Sequence, residues 1–174
     1  MNWISTPIEG FRIRHALRKD VPLVLYFIRK LAEYEKLTHE VEATVEKLER
    51  YLFGEEKVAE VVIGFLDEQP VGFALYFSNF STFLALPGIY LEDLYVLEEY
   101  RGRGFGKVLL SYLARMAVDR GMGRLEWAVL DWNEPSIQFY KSLGARLMDE
   151  WIVNRVTGET LVNLADVFSR RHPE

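Results

Sequence analysis

The chain has no cysteine and only three histidines among its 174 residues. The absence of cysteine excludes a disulfide scaffold, a zinc–thiolate site and any mechanism that passes through an acyl-cysteine. The spacing of His15, His39 and His172 suggests no metal site, so we expect no bound metal. Basic side chains number 21 against 26 acidic ones. The resulting net charge of −5 argues against nucleic-acid binding through overall positive charge.

A long apolar segment is also missing. The first ten residues are neither basic nor continuously apolar, which argues against a signal peptide. The uncharged run Gln69–Leu91 superficially fits a membrane span, but Ser78, Asn79, Ser81 and Thr82 interrupt its middle. Two buried strands joined by a polar connection explain this run better. We therefore expect a cytoplasmic protein that binds no membrane.

The charge that is present is unevenly distributed. Residues 31–60 carry a net charge of −5, whereas residues 101–124 carry a net charge of +5. One surface could therefore attract a cation while another holds an anion, although two solvated helical surfaces would give the same pattern. The length and the 49% hydrophobic content predict a single domain over residues 1–174, with its core at about 11–165.

Hydrophobic periodicity predicts the element order β-α-α-β-β-β-α-β-α-β-β, and hence a mixed α/β sheet with helices on both faces. The predicted strands are Phe11–Ala16, Val58–Leu66, Val71–Phe77, Ile89–Val96, Arg124–Leu130, Arg146–Asn154 and Thr160–Ala165. One predicted helix follows Asp20, which can cap it. The others run from Thr44 to Gly54 and from Gly104 to Arg120, and lie between Asn133 and Ser142.

The most informative segment joins the strand that ends at Val96 to the helix that begins near Gly104. Its glycines alternate through the bend, so main-chain N–H groups can converge on an anion where no Cβ intervenes. The positive end of the helix dipole points to the same place. The glycines are Gly102, Gly104 and Gly106, and the basic side chains are Arg101, Arg103 and Lys107. Physically this is a cradle for a diphosphate.

Three anion-binding templates compete for this loop. The dinucleotide fingerprint G-x-G-x-x-G does not fit, because the last spacing is one residue short. A P-loop does not fit either, since Gly102 and Gly106 enclose three residues and Val108 stands where a hydroxyl is needed. The template Arg/Gln-x-x-Gly-x-Gly/Ala is matched by Arg101, Gly104 and Gly106. A glycine-rich connection without a ligand is the alternative.

This template resembles the pyrophosphate loop of the GCN5-related N-acetyltransferase (GNAT) superfamily. Further blocks over residues 11–165 resemble the diamine (spermidine/spermine) acetyltransferase family. These blocks are Leu31–Glu35, Tyr90–Asp93, Tyr100–Gly102, Trp132–Ile137 and Phe139–Lys141. The resemblance implies the GNAT fold, in which a mostly antiparallel sheet contains a splayed parallel pair. It also implies acetyl-CoA as co-substrate, a small amine as acceptor, no metal, and a homodimer in which C-terminal strands are packed or exchanged.

The resemblance further implies roles for individual residues. Tyr140 would protonate the departing thiolate, and Glu92 would receive the amine proton through water; a packed aromatic and a structural ion pair are the respective alternatives. The main-chain groups of the strand would bind the pantetheine arm, and Val96 N–H could polarise the acetyl carbonyl. The remaining coenzyme contacts are expected from Leu94, Tyr95, Val96, the loop residues Arg101, Gly102, Arg103, Gly104, Phe105, Gly106 and Lys107, and from Asn133, Ser136 and Tyr140.

The substrate side resembles the diamine family less completely. Tyr34 and Glu35 match it, and the resemblance assigns further acidic residues to the far end of the amine site. We assign that end to Glu126 and Glu150, with Asp149 beside them, although the segment before Trp151 is shorter than in the family. A polyamine or diamine is the expected acceptor. The alternatives are thialysine or another lysine-like amino acid, a protein terminus, and a non-catalytic acyl-CoA sensor; the presence of both Glu92 and Tyr140 favours catalysis.

Overall fold

The computed structural model describes residues 2–169, so His172 lies outside the described residues. The strands are β1 (Ile4–Ser5), β2 (Phe11–His15), β3 (Glu60–Leu66), β4 (Gln69–Ser81), β5 (Leu86–Val96) and β6 (Leu125–Trp127). The helices are α1 (Val21–Glu35), α2 (Val45–Phe53), α3 (Phe105–Asp119), α4 (Glu134–Ser142) and α5 (Gly158–Ser169). None of the helices within residues 2–169 has the length and apolar character needed to cross a bilayer.

The chain forms two compact units, Met1–Ala128 and Val129–Glu174. The first contains one six-stranded sheet in the order β1-β2-β3-β4-β5-β6. All neighbouring strands are antiparallel except β5 and β6, which are parallel. This arrangement confirms the predicted mixed α/β fold with a parallel pair. The prediction of a single domain over residues 1–174 stays a prediction.

The sheet is covered by helices on both faces, as predicted. On one face, Phe27 of α1 stacks on Phe73 of β4, with ring centroids 5.3 Å apart. On the other face, Phe105 of α3 stacks on Phe11 of β2 at 4.3 Å. Residues of β4 from Val71 to Phe77 are buried or half-buried on both faces, because alternate side chains point to opposite helical layers.

Local signals place α2 and α3 where the sequence predicts them. The side chain of Thr44 accepts a hydrogen bond from the N–H of Lys47 and so caps α2. Asp20 precedes α1 as expected, but its carboxylate does not cap that helix. It binds the guanidinium of Arg14 at 2.6 and 3.0 Å and the N–H of Leu17 at 2.7 Å. The prediction of an Asp20 cap is therefore wrong, because a buried arginine competes for the carboxylate.

The C-terminal prediction needs the largest correction. Residues 146–154 form no strand, and the predicted strand Thr160–Ala165 lies inside α5. The apolar side chains of Leu161, Leu164 and Phe168 recur at intervals of three and four, which is a helical spacing. The predicted strand Arg124–Leu130 is also shorter, since pairing with β5 ends at Trp127.

Candidate active site

The glycine-rich bend enters α3 through a left-handed main chain. The φ angles of Gly102 and Gly104 are +73° and +84°, values that only glycine adopts without strain. Gly104 is the N-cap of α3 and has no side chain to cap the helix. The first amides of α3 therefore have no intrahelical acceptor and point into the bend. A Cβ built on Gly106 would meet the Val96 side chain only at 3.8 Å, so the end of β5 lies beside this helix N-terminus.

These features fit a diphosphate. Two basic side chains of the bend are exposed: Arg103 lies just before α3, and Lys107 lies in its first turn. The positive dipole end, the uncapped amides and the exposed cationic side chains together provide what an anionic pyrophosphate requires. The guanidinium of Arg103 lies 5.0 Å from the ring centre of Phe105, two residues along the chain. That of Arg101 instead contacts two rings from outside the bend, at 4.3 Å from the ring centre of Tyr34 and 5.1 Å from that of Tyr95.

Strand β5 carries a bulge where the sheet divides. Leu75 of β4 pairs with Asp93, but the next residue of β4 pairs with Leu91, which leaves Glu92 as the extra residue. The parallel pairing of β5 with β6 also ends at Leu91. The far edge of β5 thus has no partner strand beyond Leu91 within the part of the chain that the structure describes. The bulge turns the Glu92 side chain out of the regular alternation, and it is exposed.

Beyond the bulge, the three residues predicted to contact pantetheine direct their main-chain groups to two different edges of β5. The N–H of Leu97 donates to the carbonyl of Val71 on β4 at 2.9 Å. Because successive residues direct their main-chain groups to opposite edges, those of Val96 and Leu94 point to the unpaired edge. Those of Tyr95 point to β4. The structure thus directs Leu94 and Val96 to the edge but gives Tyr95 a different place, with its ring against Arg101.

A cavity of about 380 Å³ lies between α1, the segment after it and β5. Apolar side chains from α1 form its floor, and the described lining contains neither lysine nor arginine. Its acidic side chains are Glu35, Glu40, Glu42, Glu92 and Asp93. The structure therefore brings together two predicted site residues, Glu35 and Glu92, that lie far apart in the sequence. Such a concentration of carboxylates favours a cationic ligand.

Asp93 is the site residue that sequence reasoning missed. Burial, and then the nearby charges of Glu92 and Glu35, raise its pKa to about 7. Burial also raises the pKa of Glu35. A carboxyl group with a pKa near neutrality can accept a proton and release it again under physiological conditions. The available signal was the acidic doublet inside an otherwise apolar strand, from which only Glu92 was selected.

The remaining substrate-side predictions have other partners in the structure. Glu126 on β6 accepts a hydrogen bond from the Asn79 amide at 2.7 Å and pairs with Arg124 at 2.8 Å. It does not line the acidic cavity. Glu150 lies 3.8 Å from Arg146 across an exposed turn. Their assignments to the amine stay predictions.

The second unit carries the predicted acid on a short helix. The Asn133 side chain accepts a hydrogen bond from the Ser136 N–H and caps α4, which confirms the predicted helix start. Ser136 and Tyr140 lie one turn apart on α4, and both are half-buried. The Tyr140 ring lies 5.2 Å from that of Phe139. Their roles toward the coenzyme stay predictions.

Curated relatives share this sequence over most of its length. An L-ornithine N5-acetyltransferase of Arabidopsis thaliana is 43% identical over 71% of the chain. A thialysine N-epsilon-acetyltransferase of Mus musculus is 38% identical over 88% of it, and a human spermidine/spermine N(1)-acetyltransferase-like protein is 31% identical over 92%. The alignments span about half (51%) of the Arabidopsis protein, 96% of the mouse protein and 24% of the human protein.

Solved structures and a family match agree with these relatives. An integron cassette protein from V. cholerae superposes with a TM-score of 0.76 at 29% identity, covering 91% of this chain and 99% of that one. Residues 25–145 match the acetyltransferase (GNAT) family. That range includes the glycine-rich bend, the acidic cavity and α4. The chain therefore belongs to the GNAT family and is an N-acetyltransferase.

Proposed function

We propose that the chain transfers the acetyl group of acetyl-CoA directly to a primary amine of a small diamine or polyamine. The observation that carries this proposal is the acidic cavity on β5, the strand whose unpaired edge leads to the glycine-rich bend. An amine held at Glu92 and Asp93 would lie only a few residues along the strand from the main-chain groups of Leu94 and Val96. The amine and the acetyl thioester would then lie next to each other along one strand.

The lining of the cavity favours a diamine over an amino acid. Five carboxylates line it, and none of the described lining residues is a lysine or an arginine. A diammonium ion complements this lining at both of its ends. An amino acid would bring a carboxylate of its own into a negative site, which costs free energy unless a cation pairs with it.

A lysine-like amino acid is the second candidate. The relatives that are 43% and 38% identical are named for ornithine and thialysine, whereas the relative named for spermidine and spermine is 31% identical. These substrates share an aliphatic chain that ends in a primary amine. They differ from diamines by the carboxylate, so that group decides between the candidates.

In the proposed reaction, the acidic pair on β5 prepares the amine. A free alkylamine has a pKa of about 10.4 and is protonated near neutral pH. Asp93, with its pKa near 7, and Glu92 beside it would accept the proton, directly or through water. The amine nitrogen then bonds to the acetyl carbon while the carbon–sulfur bond breaks. Val96 N–H would polarise the carbonyl, and the Tyr140 phenol would give its proton to the thiolate.

Matched substrate pairs test the proposal. Thiol release from acetyl-CoA should be measured with putrescine against ornithine and with cadaverine against lysine, since each pair differs only by a carboxylate. We expect kcat/KM to be about tenfold or more higher for the diamine, because the extra carboxylate would be repelled by the acidic cavity. A repulsion of about 1.4 kcal/mol in the transition state corresponds to a tenfold lower rate. Spermidine and thialysine extend the panel. Preference for the amino acid in both pairs would favour the second candidate.

The same assay separates catalysis from sensing. If acetyl-CoA binds but no amine in the panel releases thiol, the non-catalytic sensor replaces both enzyme proposals. If titration calorimetry detects no acetyl-CoA binding, the assignment of the glycine-rich bend is wrong as well.

We also infer that two chains associate as a homodimer. The described side chains of helix α5 are all exposed, and Leu161, Leu164 and Phe168 form one apolar line along it, with Leu161 and Leu164 half exposed and Phe168 96% exposed. Exposed apolar surface of this kind on a single chain is typical of a protein–protein interface. Because the exposed line is the same on every copy, a twofold-symmetric pairing of two such helices would cover both.

A further inference from the structure

The side chain of Arg101 is engaged by the protein itself. Its guanidinium lies over the rings of Tyr34 and Tyr95, at 4.3 and 5.1 Å, and its Nε donates to the carbonyl of Val96 at 3.0 Å. The two rings lie 6.5 Å apart and are tilted by 54°. A planar guanidinium can stack flat on an aromatic ring and donate from its Nε at the same time, whereas an ammonium group is a compact charge without a flat face. This arrangement joins the end of α1, the end of β5 and the start of the glycine-rich bend.

The contacts of Arg101 reach both halves of the candidate site. Tyr34 precedes Glu35, which lines the acidic cavity. Val96 ends the unpaired edge of β5, and its carbonyl points to the same edge as its N–H. By holding that carbonyl, Arg101 fixes the orientation of the last peptide units of β5. By packing on Tyr34, it fixes the end of α1 relative to that edge.

We propose that Arg101 is a positioning residue that sets the acetyl-binding edge of β5 against the amine cavity, and that it does not act mainly by binding phosphate. This inference rests on the proposed acetyl transfer from acetyl-CoA. The phosphates are left to the amides of the bend and to Arg103 and Lys107. A misplacement of reacting groups by about 1 Å can cost a hundredfold in rate, so a residue that holds this geometry acts on turnover.

Acetyl-CoA and S-acetylpantetheine distinguish positioning from phosphate binding, because only acetyl-CoA carries the pyrophosphate. Arg101→Lys keeps the charge but loses the flat stacking surface and the Nε bond. We expect it to lower kcat about tenfold with both thioesters and to leave the KM for acetyl-CoA nearly unchanged. Arg103→Gln is the comparison, and it should raise the KM for acetyl-CoA alone.

Variants of Tyr34 test the same contact from its other side. Tyr34→Leu should lower kcat about tenfold, as Arg101→Lys does, and the double variant should be no slower than either single variant. Tyr34→Phe keeps the ring that packs on Arg101 and should therefore retain more of the turnover than Tyr34→Leu does. Thermal melting of each variant, followed by circular dichroism, should match that of the wild type.

The outcomes separate the inference from the proposed function. An Arg101→Lys effect confined to the KM for acetyl-CoA, additive losses in the double variant, or losses that follow a lower melting temperature would each overturn the positioning role. If the wild-type protein turns over neither thioester with any amine, the proposed function fails first. Tyr34→Leu with wild-type turnover would also overturn the inference.

Discussion

At the scale of single residues, the charge state of Asp93 decides how the candidate site responds to pH. The pKa of this carboxyl is near 7 because burial and two neighbouring carboxylates disfavour its ionised form. In the unfolded chain the ordinary value is 3.8. Its contribution to stability is therefore present below about pH 4 and lost as the pH rises through 7. A bound ammonium group would offset this loss.

We predict that kcat/KM for a diamine rises with pH up to about 7 and that Asp93→Asn removes this limb together with most of the activity. At pH 8, where wild-type Asp93 is ionised, the same variant should be more stable by about 1–3 kcal/mol. The measurements are a pH–rate profile and chemical denaturation at pH 8.

Glu92→Gln is the control for this pH prediction. It removes a negative charge beside Asp93, so the acidic limb should move to lower pH if Asp93 is the acceptor. Loss of the limb in Glu92→Gln, with the limb intact in Asp93→Asn, would assign the proton to Glu92 instead.

A second prediction at this scale concerns Tyr140. Removing its hydroxyl in Tyr140→Phe should lower kcat about a hundredfold, because general acid catalysis contributes at least that much. The affinity for acetyl-CoA, measured by calorimetry, should change little. Tyr51→Phe removes a hydroxyl from an exposed tyrosine of α2 and should leave both quantities unchanged. Wild-type turnover in Tyr140→Phe would make this residue a packing aromatic.

At the scale of elements, glycines at the start of α3 allow a ligand to approach the main chain, but glycine within a helix lowers its stability. Gly104 needs its left-handed main chain, but Gly106 lies inside the helix, where glycine is unfavourable. A Cβ at position 106 would make only an ordinary contact with Val96. The fold alone therefore tolerates alanine there, and the glycine is explained by the close approach of a ligand to the amides.

Gly106→Ala should accordingly raise the stability of the protein by about 0.5–1 kcal/mol and weaken acetyl-CoA binding. The readouts are the free energy of unfolding in denaturant and the dissociation constant by calorimetry. Ser111→Ala, at an exposed position of the same helix, should raise stability without altering binding. If Gly106→Ala binds acetyl-CoA as tightly as the wild-type protein does, the phosphates of the coenzyme do not bind at this bend.

The accuracy of the element predictions depended on how local their signals are. Thr44 and Asn133 cap their helices through side chains that reach only three residues along the chain, so both starts were predictable. The prediction that Asp20 caps α1 failed because its carboxylate binds Arg14, which lies on another element, β2. The prediction of a strand at Thr160–Ala165 is wrong, although Leu161 and Leu164 already lie at helical spacing.

At the scale of the whole molecule, the exposed apolar line of α5 sets the expected assembly. Burying such side chains between two copies is favourable at about 25 cal/mol per Å², whereas leaving them in water is not. The predicted exchange of C-terminal strands does not apply, because residues 158–169 are helical. Association through this helix is the form of the dimer that the exposed side chains favour.

Light scattering should give the mass of two chains for the wild-type protein. Leu164→Asp and Phe168→Asp should each give the mass of one chain, because a carboxylate would have to be buried in the interface. Asn163→Asp adds the same charge on the side of α5 that faces away from this line and should leave the dimer intact. A wild-type mass of one chain would refute the homodimer.

Features that depend only on neighbouring residues can be inferred from the amino-acid sequence without the fold. The glycine-rich bend, the helix it opens and the resemblance to the acetyltransferases are all carried by short contiguous blocks, and the family match confirms that resemblance. Glycine conformations, helix caps and the helix dipole act over a few residues, so their consequences can be stated without the fold.

The tertiary structure decided which side chains share an environment. Glu35 on α1 and the pair Glu92–Asp93 on β5 meet in one cavity, where burial and then repulsion from the other two carboxylates raise the pKa of Asp93 to about 7. The guanidinium of Arg101 likewise lies on Tyr34, which comes from another element, and the sequence gives no sign of this contact. Burial and electrostatic interaction depend on distance in space, and distance along the chain does not determine them.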